Sequence, residues 1–569
     1  MKRFTTLTLL LVLMAGCSSE AVLSPTNTPA PTMTASPIPP TATFTPTPVP
    51  PQHRIGIRVV EGAGEFYDRV TGEKFIPRGN NYVRLSNRPH CLNAGTFYHS
   101  NFAPGEYDPV RTETALAQMK ADSYNTVRIF IDEWCVVEPD GRLSEEYLDG
   151  VAAFLQSAAS NDLYVFMNGF PPIPGYAERI PPFYSNFDWP NTNYLTSEGI
   201  QIEIDFWQDF IRGLMQRAAP LKNVLGYELR NEAFFDGDRR PFTLSSGNVI
   251  TANGNTYDMS NAQEKQRMMD ENLVNWIDRI RAGILEVDPT SLVAVGFFEP
   301  QGPNPARFGD TRLIRTYPAI WESSADFIDL HAYPGVNLTL PQYMENFELG
   351  DFVQKPVIMG EFGAFRSSFP HTSNAAQALH DWQVKSCEYG FDGWLLWTWD
   401  TDEQPELWNG MNDGGVINGA LSPKTRPDPC APGSFAGQNV ALGKPVRVSR
   451  FLQSNPASMA VDGLFGNWWG AGAFAPQWIE IDLQAPFTIS QIRLSISQSP
   501  EGETIHRVRG RSAAGNFQLL VEFRGVTDDV QFLEYSPAEP WEGIQIIRID
   551  TLSSPSWVSW REIEIIVDK

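Results

Sequence analysis

The chain has 569 residues, 42% of them hydrophobic, with 16 Trp, 17 Tyr and 35 Phe. A single core rarely grows beyond roughly 250–300 residues, so more than one domain is expected. The formal net charge of −24 excludes a nucleic-acid partner, whose phosphates require a basic face.

Residues 1–16 read as a secretory signal. Lys2 and Arg3 precede the apolar run from Leu7 to Met14, which is too short to span a membrane. The ending Leu-Met-Ala-Gly before Cys17 resembles a bacterial lipobox. It implies cleavage before Cys17, lipidation of that thiol, a membrane contact through the lipid, and an exported cell-envelope or cell-surface lipoprotein. Residues 17–53 are dominated by Pro and Thr. Such a composition buries too little apolar area to fold and serves as an extended stalk.

From 54 to 421 apolar strands alternate with amphipathic helices, the pattern of a parallel α/β fold. Expected strands cover 75–84, 125–131, 163–168, 224–231, 292–298, 327–331, 356–361 and 393–399. Eight of them point to a (β/α)8 TIM barrel. Three helical stripes lie between them: Tyr147, Val151, Phe154, Leu155 and Ala158; Trp207, Phe210, Ile211, Leu214 and Ala218; and Leu273, Trp276, Ile277, Ile280 and Ile284. A Pro-rich linker, 422–437, follows. From 438 to 569 the helical period fades and short alternating strands take over, which suggests an all-β jelly-roll sandwich.

Five cysteines are present. With Cys17 set aside for lipid, Cys91, Cys135, Cys387 and Cys430 allow two disulfides in an exported protein. Cys91 and Cys135 follow the first two expected strands. Cys387 and Cys430 would tie the last helix to the segment leaving the barrel, but sequence leaves the pairing open. No spacing resembles a zinc site.

In such a barrel, chemistry sits at the C-terminal ends of the strands. The stretch 226–235, GYELRNEAFF, delivers Asn231 and Glu232 there, and the stretch 355–363, KPVIMGEFG, delivers Glu361. Two carboxylates so placed, about 5 Å apart, are what retaining glycoside hydrolysis needs. The other strand ends bring Asn80, Asn81, Arg128, Asn168, His331, Tyr333 and Trp397.

In this order the constellation resembles clan A glycoside hydrolases, most closely family 5, the cellulase family, over residues 62–400. The resemblance implies Glu232 as acid/base with a raised pKa and Glu361 as nucleophile. Substrate contacts would come from Asn231, Arg128, Asn168, His331, Tyr333 and Trp397. Arg128 would hold Glu361 ionised, Tyr333 would bond it, and Asn231 would hold the sugar 2-hydroxyl. Many relatives carry His where Asn168 stands, which bears on substrate more than on mechanism. No cofactor is implied for catalysis. The expected activity is a retaining, endo-acting β-1,4-glycanase on cellulose-like or mannan-like polysaccharide. The alternatives are a same-clan enzyme on galactan or host-type oligosaccharide, or a non-catalytic glycan-binding surface protein. Trp134, Trp189, Phe234, Phe235, Trp399 and Trp408 are candidate sugar platforms.

The segments NVALGKPV (439–446), AVDG (460–463), QWIEIDL (477–483) and WREIEI (560–565) resemble the discoidin, or coagulation factor 5/8 type C, domain. Its bacterial enzyme-linked members are similar to family 32 carbohydrate-binding modules. That implies a glycan ligand and a structural calcium, with Asp462 and Glu562 as oxygen ligands and Asn467 where Thr or Ser is usual. Trp468, Trp469, Phe474 and Trp557 are its candidate stacking residues.

Overall fold

The computed structural model describes residues 52–567 except 87–98, 133, 170–174, 181–185, 299–310, 337, 351–353, 425, 431–437, 464–466 and 530. The signal segment, Cys17, nearly all of the stalk, Cys91 and part of the 422–437 linker lie outside the described residues.

Eight parallel strands close into a barrel. They are β1 (Arg78–Asn81), β2 (Thr126–Ile131), β3 (Tyr164–Gly169), β4 (Val224–Glu228), β5 (Val293–Phe297), β6 (Phe327–His331), β7 (Val357–Phe362) and β8 (Phe391–Leu396). They run in chain order around the wall, and β8 pairs with β1 to close it. Both faces are covered, so most strands read as continuous apolar runs.

All eight expected strands form, but β1 is three residues shorter at each end than expected, and β4 and β8 both stop early. β4 stops at Glu228, three residues early. Beyond it the Gly296 amide bonds the Arg230 carbonyl, and the Ala233 amide bonds the Gly296 carbonyl. Gly296 permits this approach, since a Cβ there would stand 2.1 Å from the Asn231 carbonyl oxygen. β8 begins at Phe391 and ends at Leu396, because the Trp397 amide turns to the Phe362 carbonyl and the Trp399 amide to that of Asn81.

Helices α1 (Glu145–Ser160), α2 (Ser197–Gln216), α3 (Ala262–Val287) and α4 (Thr372–Ser386) lie on the outer wall. Ser144, Thr196 and Asn261 cap the first three through their side chains. The three expected stripes are buried, except that Ala218 lies past the end of α2 in a left-handed conformation, φ 52°. An N-terminal hairpin, Ile55–Val60 with Ala63–Asp68, stops the lower end of the barrel. Its Phe66 meets Phe327 edge-on at 5.1 Å.

The C-terminal domain is antiparallel, with its own core around Trp469, Ile481, Leu494, Ile547 and Trp560. Its long strands are β9 (Gln477–Ile496), β10 (Gly502–Arg511), β11 (Gln518–Thr527), β12 (Trp541–Ser553) and β13 (Ser559–Val567). β9 pairs with β12 along its first part and with β13 along its last. Arg493 of β9 is buried against the barrel. It binds Asp381 of α4 together with Glu534 and Glu564 of its own domain. Cys387 and Cys430 form a disulfide that ties the end of α4 to the segment leaving the barrel.

Candidate active site

Strand register brings the expected groups to one end of the barrel. His331 of β6 pairs with Glu361 of β7, and Arg128 of β2 sits beside Asn81 of β1. Arg128 is wholly buried and acts as the hub. Its Nη1 donates to Glu361 Oε1 at 2.8 Å and to Asn81 Oδ1 at 2.9 Å. Its Nη2 donates to Asn231 Oδ1 at 2.6 Å, and its Nε to Glu228 Oε2 at 2.9 Å. The Tyr333 hydroxyl donates to Glu361 Oε2 at 2.9 Å. His331 Nδ1 stands 3.1 Å from Glu232 Oε1 and 3.5 Å from Glu361 Oε2. One oxygen each of Glu232 and Glu361 lie within 4.8 Å of each other and of the His331 ring nitrogen.

Burial pushes the Glu232 carboxyl up, but the hydrogen bond and charge of protonated His331 outweigh it and hold the group below the usual carboxylate range. Burial pushes Glu361 up by more than His331 and Arg128 draw it down. His331 lies well above the ordinary imidazole range: burial lowers it, and the charges of Glu361 and Asp329 more than reverse that. Both directions favour the His331 side of that hydrogen bond for the proton. This corrects the expectation of a raised Glu232, which would gain its proton by a transfer across one hydrogen bond.

Asn231, Glu232 and Tyr333 retain exposed surface. Arg128 and Asn168 retain none, so neither touches a sugar directly. Arg128 works through Glu361 and Asn231. Asn168 pairs with Glu228 in the sheet, and its amide finds no partner among the described residues. Trp397 is nearly buried, edge-on to Phe130 at 5.7 Å, with its indole N–H on Gln404 at 3.0 Å.

Of the expected platforms, Trp189 is exposed, and Trp134 and Phe234 are half-buried. The other three are packed. Phe235 lies against Tyr194, Trp399 against Tyr124, and Trp408 beneath Arg366 with its N–H on the Phe369 carbonyl. Two groups escaped the sequence reading, Glu228 and Asp329. Each carried a signal: they stand four residues before Glu232 and two before His331, and both are fully buried carboxylates, rare unless partnered.

The profile of the cellulase family, glycosyl hydrolase family 5, matches residues 90–403. The chain belongs to glycosyl hydrolase family 5. As a family 5 member it is a glycoside hydrolase, and the groups just described occupy its barrel mouth. Among solved structures, an exo-β-1,4-mannosidase from Opitutaceae bacterium strain TAV5 is 20% identical with a TM-score of 0.42, covering 65% of this chain and 62% of that one. A β-mannanase from the blue mussel Mytilus edulis is 16% identical with a TM-score of 0.38, covering 66% of this chain and 98% of that one. A family 32 carbohydrate-binding module of C. perfringens NanJ, in complex with galactose, is 17% identical with a TM-score of 0.20, covering 22% of this chain and 93% of that one. No curated protein sequence matches the family 5 chain.

In the C-terminal domain Glu562 is buried and accepts the Gly463 amide at 3.1 Å, while its Oε1 has no partner among the described residues. Asn467 Nδ2 donates to Asp462 Oδ2 at 2.8 Å and leaves its own Oδ1 without one. Burial, with Glu564 and Asp462 nearby, pushes Glu562 well above the usual range. Orphaned buried oxygens among carboxylates suit an oxygen-seeking cation.

Proposed function

We propose that this family 5 chain is a retaining β-glycanase, endo-acting on β-1,4-linked cellulose-like or mannan-like polysaccharide. The observation that carries the mechanism is the approach of Glu232 to Glu361, with oxygens within 4.8 Å. Double displacement uses carboxyls about 5–5.5 Å apart, whereas inversion needs about 6.5–9.5 Å to admit a water. Glu361, held by Arg128 and Tyr333, attacks the anomeric carbon. Glu232 protonates the leaving oxygen and then, as base, takes a proton from the water that releases the sugar. Asn231, fixed by Arg128, presents its remaining amide group toward the sugar 2-hydroxyl, and Trp397 floors the subsite.

The sequence pattern at Cys17 supports a lipid anchor, an exported, surface-held enzyme and a Pro/Thr stalk. Exposed Phe451, Trp468, Phe474 and Trp557 support glycan binding by the C-terminal domain. Asp462, Asn467 and Glu562 would hold a structural calcium, which would neutralise their clustered oxygens.

The test is hydrolysis of β-glucans, mannans, galactans and xylans by the full chain, with product anomers followed by NMR. Release of oligosaccharides with retained configuration from a glucan or mannan is expected. Inverted products, or activity confined to galactans, would overturn the corresponding part of the reading.

A further inference from the structure

Glu228 and Asp329 lie wholly buried beneath Glu232 and Glu361. Glu228 Oε2 accepts from Arg128, and Asp329 Oδ1 accepts from the Gly360 amide at 2.6 Å. The other two oxygens, Glu228 Oε1 and Asp329 Oδ2, have no donor among the described residues, and His331 Nε2 likewise has no partner there. Ligating atoms of all three residues fall within 4.8 Å of one another, and Asp329 Oδ2 stands 3.5 Å from His331 Nε2. Two glycines make room for the carboxyls. A Cβ on Gly296 would lie 2.4 Å from Glu228 Oε1, and one on Gly360 would lie 2.0 Å from Asp329 Oδ2.

We propose that Glu228 and Asp329 form a hydrogen-bonded carboxylic acid–carboxylate pair that positions His331, keeping one ring proton on Nε2 so that Nδ1 is free to exchange a proton with Glu232. This rests on Glu232 being the acid/base.

Glu228 Oε1 and Asp329 Oδ2 lack hydrogen-bond donors of their own, with Arg128 Nε no nearer than 3.6 Å to Asp329 Oδ2, and a proton held between the two carboxyls relieves the cost of two desolvated charges side by side. Glu228 holds it. Burial pushes that group well above the carboxylate range, while His331 and Arg128 overcome burial to hold Asp329 low. Asp329 then stays an acceptor facing Nε2. A ring anchored in this way by a carboxylate has its tautomer fixed.

With the shared proton on Nδ1, His331 is an imidazolium and Glu232 a carboxylate. With it on Glu232 Oε1, His331 is neutral, its remaining proton is on Nε2, and Nδ1 accepts from the acid. Glu232 then passes that proton to the leaving oxygen as the C–O bond breaks, and regains one from the attacking water. The charged and titratable groups facing this exchange are Arg128, Glu228, Asp329, Tyr333, Glu361 and Arg312.

The first test uses the full chain labelled with 15N-histidine, with His331 identified by loss of its signal in His331→Gln. Above its titration the neutral ring should carry its proton on Nε2; a proton on Nδ1 with Nε2 bare overturns the proposal. The second test is the pH profile of kcat/KM. Asp329→Asn, with its oxygen kept on the Gly360 amide, turns an N–H toward Nε2 and drives the ring proton to Nδ1. The descending limb should move down by about one pH unit. Hydrolysis of polysaccharide should fall roughly 100-fold, while an aryl glycoside whose leaving group needs no proton loses far less. Equal losses on both substrates with an unmoved limb would mean a merely structural role. Glu228→Gln keeps a donor toward Asp329 and should leave the limb in place whatever happens to kcat; a limb moved as far as in Asp329→Asn also overturns the pair. Should Glu232→Ala leave hydrolysis intact, the acid/base reading falls by itself, and the wild-type tautomer still reports on the Asp329–His331 contact.

Discussion

Arg128 and Glu361, 233 residues apart in sequence, meet through a 2.8 Å bond between two buried side chains. A permanent cation against one oxygen and a tyrosine hydroxyl against the other oppose, without cancelling, the burial that pushes this carboxyl up, and fix its oxygens for attack. Replacing Glu361 by Ala should therefore lower kcat by roughly 10⁴-fold or more, with the melting temperature nearly kept. Chromogenic assay beside a thermal melt checks this, and activity surviving in that variant would remove Glu361 from the nucleophile's place.

Glu232→Ala should separate substrates by leaving group. Loss of general acid assistance costs about 10²–10⁴-fold, a burden that should fall on polysaccharide and spare the first step with an activated aryl glycoside. Burst kinetics would display the stalled intermediate, and equal slowing on both substrates would count against the acid role.

The Arg493–Asp381 pair predicts how the two domains part. Burial raises Asp381, but Arg493 and His380 more than reverse this and hold it far below the usual range. A carboxylate depressed in the folded state adds stability above its unfolded value and loses it as pH falls through its folded one. The contact should therefore weaken only below about pH 4. Arg493→Ala, which takes from the buried Asp381 and Glu564 the cation they share, should cost on the order of 3 kcal/mol. Calorimetry should then resolve separate barrel and sandwich transitions, and one unshifted transition would refute this.

Glu203 on α2, bonded to Arg230 beside the Asn231–Glu232 turn, is raised by burial from 4.5 to about 7. Because the folded value lies above the unfolded one, its contribution is fullest below pH 4.5 and is lost as pH rises toward 7. The change is on the order of 3 kcal/mol. Denaturant titrations of wild type and Glu203→Gln should differ in slope across that window and run parallel above it.

The Cys387–Cys430 disulfide spans 43 residues. Closing a loop of that length restricts the unfolded chain by about 4 kcal/mol. Cys387→Ala with Cys430→Ala should lower the melting temperature while leaving catalytic constants near those of wild type.

Local sequence determined much of this protein. The eight strands, the helical stripes, and the positions of Glu232, Glu361, Arg128, His331 and Tyr333 were legible, because periodicity and strand ends are encoded within a few residues. Three things were decided only by the tertiary structure. Phe235, Trp399 and Trp408 became core because neighbours from distant segments cover them, which no local pattern records. Glu232 is held below its ordinary range and His331 above it because carboxyls from β6, β7 and the turn after β4 surround one imidazole, and a pKa follows the summed field of groups brought together by folding. Glu228 and Asp329 read as ordinary strand residues until barrel closure stripped their water and left an oxygen of each, with His331 Nε2, lacking a hydrogen-bond partner among the described residues.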